Sequence, residues 1–227
     1  FTTLSFLAST KYPSYGIESQ LMYWFGNTTL KEAKVPTLVV SYDLSRGQRK
    51  LFKSYEENNK LAWEVGRCTS AEPTYFSPYV TEEGVFVDGG VIANNPAMYA
   101  YLEGKKLYPN CKKFHILSLN TGGIYHTMEA KDTSNGIFGW ADNIQPLFDT
   151  AQKRTVDINL QAMADVDYVR IDKGLPEPIK MDETNMDIIN RMEDYSKIMA
   201  NSVDDKLEYF ASLLMKKEIN KKNLKKK

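Results

Sequence analysis

The sequence predicts an α/β fold, a mainly parallel sheet flanked by helices, and three observations carry that expectation. Short runs of β-branched and aromatic residues at 35–43 (VPTLVVSYD), 85–88 (VFVD) and 114–120 (FHILSLN) end in Gly, Asn or Asp turns, as short buried strands do. Between the last two, 96–108 has a helix start at Asn95-Pro96 and a stop at Pro109-Asn110. Strand, helix and strand at that spacing imply a parallel βαβ unit. At 227 residues, 42% hydrophobic and 26% charged, the chain is long enough to bury a sizeable core as one domain and does not have the composition of a disordered one.

Taken in order, Phe1 to Thr10 is apolar and hydroxyl-rich, the end of a helix or a loop. A short helix follows over Ile17 to Phe25, closed by Gly26-Asn27. The strand at 35–43 tolerates Pro36 near its start, and Ser45-Arg46-Gly47 turns it into a second strand at Arg49 to Tyr55. Leu61 to Ser70 is a helix that ends before Pro73. After the strand at 114–120, Trp140 to Ala164 is mainly helical and Asp167 to Ile171 is a last short strand. From Thr184 onward, Ile188, Met192, Tyr195, Met199, Val203, Leu207, Phe210 and Leu214 recur every three or four residues. That periodicity predicts one long amphipathic helix with its Met-rich face in the core.

Several functional classes lose support from composition alone. Two cysteines, Cys68 and Cys111, make no disulfide framework and fit a reducing compartment. With only His115 and His126 beside them, nothing is spaced as a zinc site, and His115 reads as a residue that packs or hydrogen-bonds beside the sheet. No apolar run approaches the length of a membrane span. Formal charge is zero, yet residues 216–227 carry seven lysines against one glutamate, a local +6. This end, set apart from 1–215, reads as a disordered basic tail, with a tether to anionic membrane as the alternative. Nucleic acid is not the expected partner, since no aromatics interleave the lysines.

The chemistry concentrates at Val85-Phe86-Val87-Asp88-Gly89-Gly90-Val91-Ile92-Ala93-Asn94-Asn95-Pro96. A strand runs into Asp88, two glycines follow, and a helix starts with Asn95 as N-cap and Pro96 as first helical residue. Gly89 and Gly90 are expected to take backbone angles closed to other residues and to admit a close chain approach. A carboxylate on a rigid strand end is where a general base belongs; the alternative is an Asp-Gly hairpin turn with a solvated aspartate.

This string resembles the second catalytic motif of the patatin-like phospholipases, and two further stretches resemble the same family. Cys68 to Pro78 (CTSAEPTYFSP) is similar to the family's Ala-Thr-Ser-Ala-Ala-Pro-Thr-Tyr-Phe, with Glu72 in place of a small residue and read as a surface substitution, the alternative being a change at the edge of a substrate cleft. Ile116 to Gly122 is similar to Ile-Leu-Ser-Leu-Gly-Thr-Gly, with Asn120 in place of a glycine.

The resemblance implies a three-layer fold and hydrolysis of phospholipid or other acyl-ester lipids by a Ser–Asp dyad, without metal or cofactor. Asp88 would be the base and Gly89 and Gly90 the turn that presents it. The family's nucleophile sits on a Gly-x-Ser-x-Gly elbow, and no two of the 13 glycines here are four residues apart. Ser70, Ser77 and Ser118 carry no elbow signature and read as structural. With Phe1 as first residue, the chain is expected to be the C-terminal portion of the catalytic domain, seen without its N-terminal strands and nucleophile and inactive alone. The alternative is a non-catalytic module binding lipid or protein. A cytoplasmic or membrane-peripheral location, or that of a secreted effector, is compatible with the sequence.

Overall fold

The computed structural model describes residues 9–57, 60–122, 128–129, 136–141, 143–172, 174–177 and 179–224. They fall into two compact units, Phe1–Glu103 with Ile144–Val156, and Gly104–Asn143 with Asp157–Lys227. The N-terminal segment 1–8 and the last residues 225–227 lie outside the described residues, as do the side chains of 216–224, so the readings made for both chain ends are not addressed.

The first unit opens with α1 (Tyr15–Phe25), which Gly26 stops in the left-handed region at φ 51°. β1 (Leu38–Asp43), β2 (Gln48–Lys53), β3 (Tyr79–Thr81) and β4 (Gly84–Asp88) form a four-stranded sheet in the order β2-β1-β4-β3. Every pairing in it is antiparallel, which corrects the expectation of a mainly parallel sheet. The reason lies in the connections: β1 reaches β2 through residues 44–47, and β3 reaches β4 through Glu82-Glu83, lengths that only antiparallel neighbours allow. α2 (Ala62–Thr69) lays Val65 and Cys68 on this sheet, where they close a core with Leu30, Phe52 and Phe86. The Phe52 and Phe86 rings meet edge to face at 5.8 Å.

Ion pairs brace the unit, those at Arg67 and Asp43 among them. The Arg67 guanidinium on α2, 1% exposed, donates to Glu18 of α1 at 3.0 Å and to the Ser77 carbonyl at 2.8 Å. Asp43 at the end of β1 is buried. Burial opposes its ionisation, yet hydrogen bonds from Ser45 and Arg46 hold its carboxyl below the usual range. The chain continues from β4 into the one-turn helix α3 (Gly90–Ala93) and then α4 (Ala97–Leu107).

In the second unit β5 (Phe114–Leu119) and, after α5 (Gly136–Ala141) and α6 (Ile144–Ala162), β6 (Val166–Ile171) pair in parallel, Phe114 opposite Val166 and Leu119 opposite Ile171. The parallel pair is therefore β5 with β6; β4 takes β1 and β3 as neighbours, and the βαβ unit read across β4, α4 and β5 is not formed. His115 lies beside this pair as expected, its Nδ1 2.8 Å from Asp167 Oδ2. Ser118 accepts from the Arg170 guanidinium at 2.8 Å.

The single long C-terminal helix is instead two, α7 (Met186–Asn201) and α8 (Asp204–Leu224). Asn201 and Ser202 are poor helix residues, and Asp204-Asp205 supply an acidic new first turn. The apolar periodicity is real, since Ile188, Tyr195, Met199, Val203 and Leu207 are half-buried and Phe210 buried. Its reading as a core face is not: no residue of α7 is fully buried, and Leu214 is 70% exposed.

Candidate active site

Asp88 is the last residue of β4, opposite Ser41 of β1 in the antiparallel register. Beyond that pair the two strands part, and the segment after α2 takes over the backbone bonds. Asp88 N donates to Ala71 O at 3.1 Å, and Gly89 N to Thr69 O at 3.3 Å. Thr69 Oγ1 donates to Val40 O at 2.5 Å. Below them the fully buried Ser41 hydroxyl lies 2.7 Å from Val87 O and 3.0 Å from Cys68 O. The two stretches singled out in the sequence, 69–71 and 87–89, thus act as one clamp on the strand end.

The chain then turns directly into helix, with Ala93 N donating to Gly89 O at 2.8 Å, which rules out the hairpin reading. Gly89 is needed here for space and not for an unusual angle, since its φ is −66°. A Cβ on it would stand 2.2 Å from Val40 O and 2.8 Å from Val40 C. Gly90 likewise shows no left-handed φ; a Cβ there would crowd Asp88 Oδ1 at 3.0 Å. The expectation of forbidden angles at both glycines is corrected, and that of close approach holds at Gly89. The buried Asn95 side chain accepts from Ala97 N at 3.2 Å, so it caps α4 as read, although the first helical residue is Ala97 and not Pro96.

The Asp88 carboxylate is half-buried. Burial pushes its pKa above the ordinary carboxylate value, and a 2.5 Å hydrogen bond from Gly90 N to Oδ1 partly offsets this. Among the described residues Oδ2 accepts no hydrogen bond. A cavity of about 240 Å³ lies beside the turn, lined by Val40, Thr69, Gly89, Gly90, Asn94 and Pro96 among others.

One polar residue of the site was read in the sequence, and those on α6 were not. Glu72, read as a surface substitution or as a change at the edge of a substrate cleft, is half-buried. Burial and the charge of Asp88 raise its pKa, against a 3.0 Å hydrogen bond from Gln145. Asp149 accepts from Asn94 and, at 2.6 Å, from Lys153. Gln152 donates to Val91 O at 3.2 Å. Gln145, Asp149, Gln152 and Lys153 stand at i, i+4, i+7 and i+8, so the missed signal was a polar stripe on one face of α6.

The serines examined as stand-in nucleophiles are occupied elsewhere. Ser70 donates back to Gly66 O at 2.8 Å, Ser77 lies 3.4 Å from the Thr10 hydroxyl, and Ser118 serves Arg170. The buried Cys68 thiol is pushed up to about 12 by burial, which leaves it without nucleophilic character. Among the described residues no group of three or more His, Cys, Asp or Glu is placed to hold a metal, and no helix is long and apolar enough to cross a membrane.

A β-strand thus delivers an aspartate into Gly-Gly and a helix, clamped by a Thr-Ser-Ala segment. Residues 1–101 match the family model of the patatin-like phospholipases. The chain is similar to a cGAMP-activated phospholipase of Pseudomonas aeruginosa, 28% identical over 205 residues, covering 84% of this chain and 62% of that protein. It is also similar to patatin-like protein 2 of Arabidopsis thaliana, 28% identical over 207 residues, 73% of this chain and 50% of the relative. The rat calcium-independent phospholipase A2-gamma is 25% identical over 157 residues, 69% of this chain and 20% of the relative. The chain thus spans between half and two thirds of the first two.

Proposed function

We propose that this chain is part of a lipid acyl hydrolase of the patatin type, the C-terminal portion of its catalytic domain. It would cleave carboxylic esters of glycerolipids through a Ser–Asp dyad in which Asp88 is the base. The serine and the backbone amides that hold the oxyanion lie on a part of the parent protein outside these residues. Asp88 takes the proton as the serine oxygen attacks the acyl carbonyl, and returns it to the departing alcohol. Water then attacks the acyl-serine, again losing its proton to Asp88, and the fatty acid leaves as the serine recovers its hydrogen.

The observation that carries this reading is the state of Asp88. Its backbone is held on both sides, one carboxylate oxygen is fixed by Gly90 N, and the other accepts nothing among the described residues. Burial raises its proton affinity toward that of a working base. That the similar proteins include phospholipases supports the substrate class.

The test is Asp88→Asn in the full-length parent, assayed on phospholipid and on a p-nitrophenyl ester. The amide keeps the shape and the acceptor for Gly90 N but cannot take a proton. Loss of a general base is on the order of 10²–10⁴-fold in kcat. A correctly folded variant with near-wild-type turnover would remove Asp88 from the chemistry. The 227 residues alone are expected to turn over neither substrate.

A further inference from the structure

We propose that the outer face of α1 is a lipid-docking surface, by which the protein lies on a bilayer that contains anionic lipid. This rests on the reading of the parent as a lipid hydrolase and extends it to the way the enzyme meets its substrate. α1 turns one face to the fold: Ile17, Glu18 and Leu21 are half-buried, and every other residue of the helix is exposed. The inner face is pinned. Leu21 lies on Gly66 of α2, where a Cβ would stand 3.0 Å from its Cδ2, and Glu18 takes the buried Arg67 guanidinium. The outer face is therefore presented on a fixed helix.

That outer face carries no charge, because the one charged side chain of the helix is Glu18, which is turned inward. Tyr15, Tyr23 and Trp24 are 74%, 77% and 75% exposed, and Met22 and Phe25 are exposed as well. The Tyr23 and Trp24 rings meet edge to face at 5.4 Å and form one aromatic patch. A surface helix ordinarily sets charged residues on its solvent side, and a contiguous exposed apolar patch marks an interaction site. Trp and Tyr join an apolar ring to one polar tip, which suits the depth of lipid headgroups, dry on one side and wet on the other. Charge selects the kind of lipid. Lys31 and Lys34, shortly after α1, are exposed and make no ion pair among the described residues. The carboxylates of this stretch are engaged, Glu18 by Arg67 and Glu32 by Thr29 N at 2.7 Å and the Thr29 hydroxyl at 2.9 Å. Two unpaired ammonium groups following a neutral aromatic face favour a negatively charged bilayer. A protein partner would also bury aromatic rings; the lysines together with a lipid substrate favour the bilayer.

The experiment measures binding of the full-length parent to vesicles of ether-linked phosphatidylcholine, with and without ether-linked phosphatidylglycerol. Ether lipids hold no acyl ester, so binding is read without turnover. Tyr23→Ala combined with Trp24→Ala should weaken binding about tenfold to hundredfold, the equivalent of partly burying two aromatic rings. Lys31→Ala combined with Lys34→Ala should weaken it at least about fivefold on the anionic vesicles and leave the neutral ones unaffected, and added salt should mimic that loss. All four side chains are exposed, so the melting temperatures should match the wild type. Lipids with brominated chains should quench the wild-type tryptophan fluorescence, and Trp24→Phe should still bind yet lose most of that quenching.

A wild type that ignores the anionic vesicles, or an aromatic variant that binds them as tightly as the wild type, overturns the proposal. An aromatic variant that binds vesicles normally but loses self-association in sedimentation would assign the face to a protein interface instead. Failure of the hydrolase reading looks different: the ether vesicles would still be bound through α1, while phospholipid with ordinary ester links would not be cleaved.

Discussion

Replacing Gly89 by alanine tests the geometry of the site without reference to its chemistry. The φ of −66° suits alanine, so the backbone itself raises no objection, and the smaller unfolded-state entropy would even favour the change by about 0.4–1 kcal/mol. What opposes it is Val40. The new Cβ would stand 2.2 Å from Val40 O and 2.8 Å from Val40 C, both main-chain atoms with no rotamer to yield. To reach van der Waals distance, β1 and the start of α3 must separate by about an ångström, an overpacking cost of about 1–3 kcal/mol. That movement also pulls on the Thr69 hydroxyl bond to Val40 O and the Gly89 N bond to Thr69 O, each worth about 0.5–1.5 kcal/mol. The net expectation is a loss of about 1–4 kcal/mol, or a melting temperature lower by roughly 2–16 °C for a domain of this size. Urea unfolding should show a lower midpoint with an unchanged slope. Gly90→Ala is the control, because its Cβ would meet side-chain atoms alone, Asp88 Oδ1 at 3.0 Å and the Asn94 amide at 3.8 and 3.9 Å, and it should cost less. A Gly89→Ala protein as stable as the wild type would mean that the strand end does not approach Val40 as described.

Two further outcomes follow from the same region. Because burial raises the Asp88 carboxyl in the folded state, its stabilising contribution is complete below the unfolded-state value and is lost as pH rises through the folded one. Asp88→Asn should therefore unfold at a higher temperature than wild type at neutral pH, with the gap closing toward pH 4; a gap independent of pH would refute this. The exposed, β-branched Thr74 is held at φ 75°, a conformation that costs such a residue about 1–2 kcal/mol. Thr74→Asn should recover on the order of 1 kcal/mol in chemical denaturation, and a destabilised variant would show that the threonine side chain contributes more than its strain costs.

The sequence by itself placed the longer elements to within a few residues, because each is a local matter of periodicity and punctuation, while the short strand Tyr79–Thr81 and the helices Gly90–Ala93 and Gly136–Ala141 went unread. The strand into Asp88, the stop at Gly26, the Ser45-Arg46-Gly47 turn and the Asn95 cap depend on neighbours in the chain. It also singled out Asp88 and the 69–71 segment, since the residues that carry the family resemblance are contiguous. Only the tertiary structure decided what those pieces do to one another. Strand direction came out antiparallel in the larger sheet because two short connections allow nothing else, a constraint that a count of strands and helices does not register. The break between α7 and α8 is invisible to apolar periodicity, which runs straight through it. Gly89 proved to be a matter of distance to Val40, some fifty residues earlier, and not of backbone angle. At Glu72 the fold matters most: alone in sequence it is a charge in a stretch of small residues, and in the structure it is half-buried, bonded to Gln145 of α6, with its pKa raised by burial and next by the charge of Asp88. Proton affinity is set by what surrounds a carboxyl in space, and the groups that set it here come from residues 72, 88, 145 and 149, which no local pattern joins.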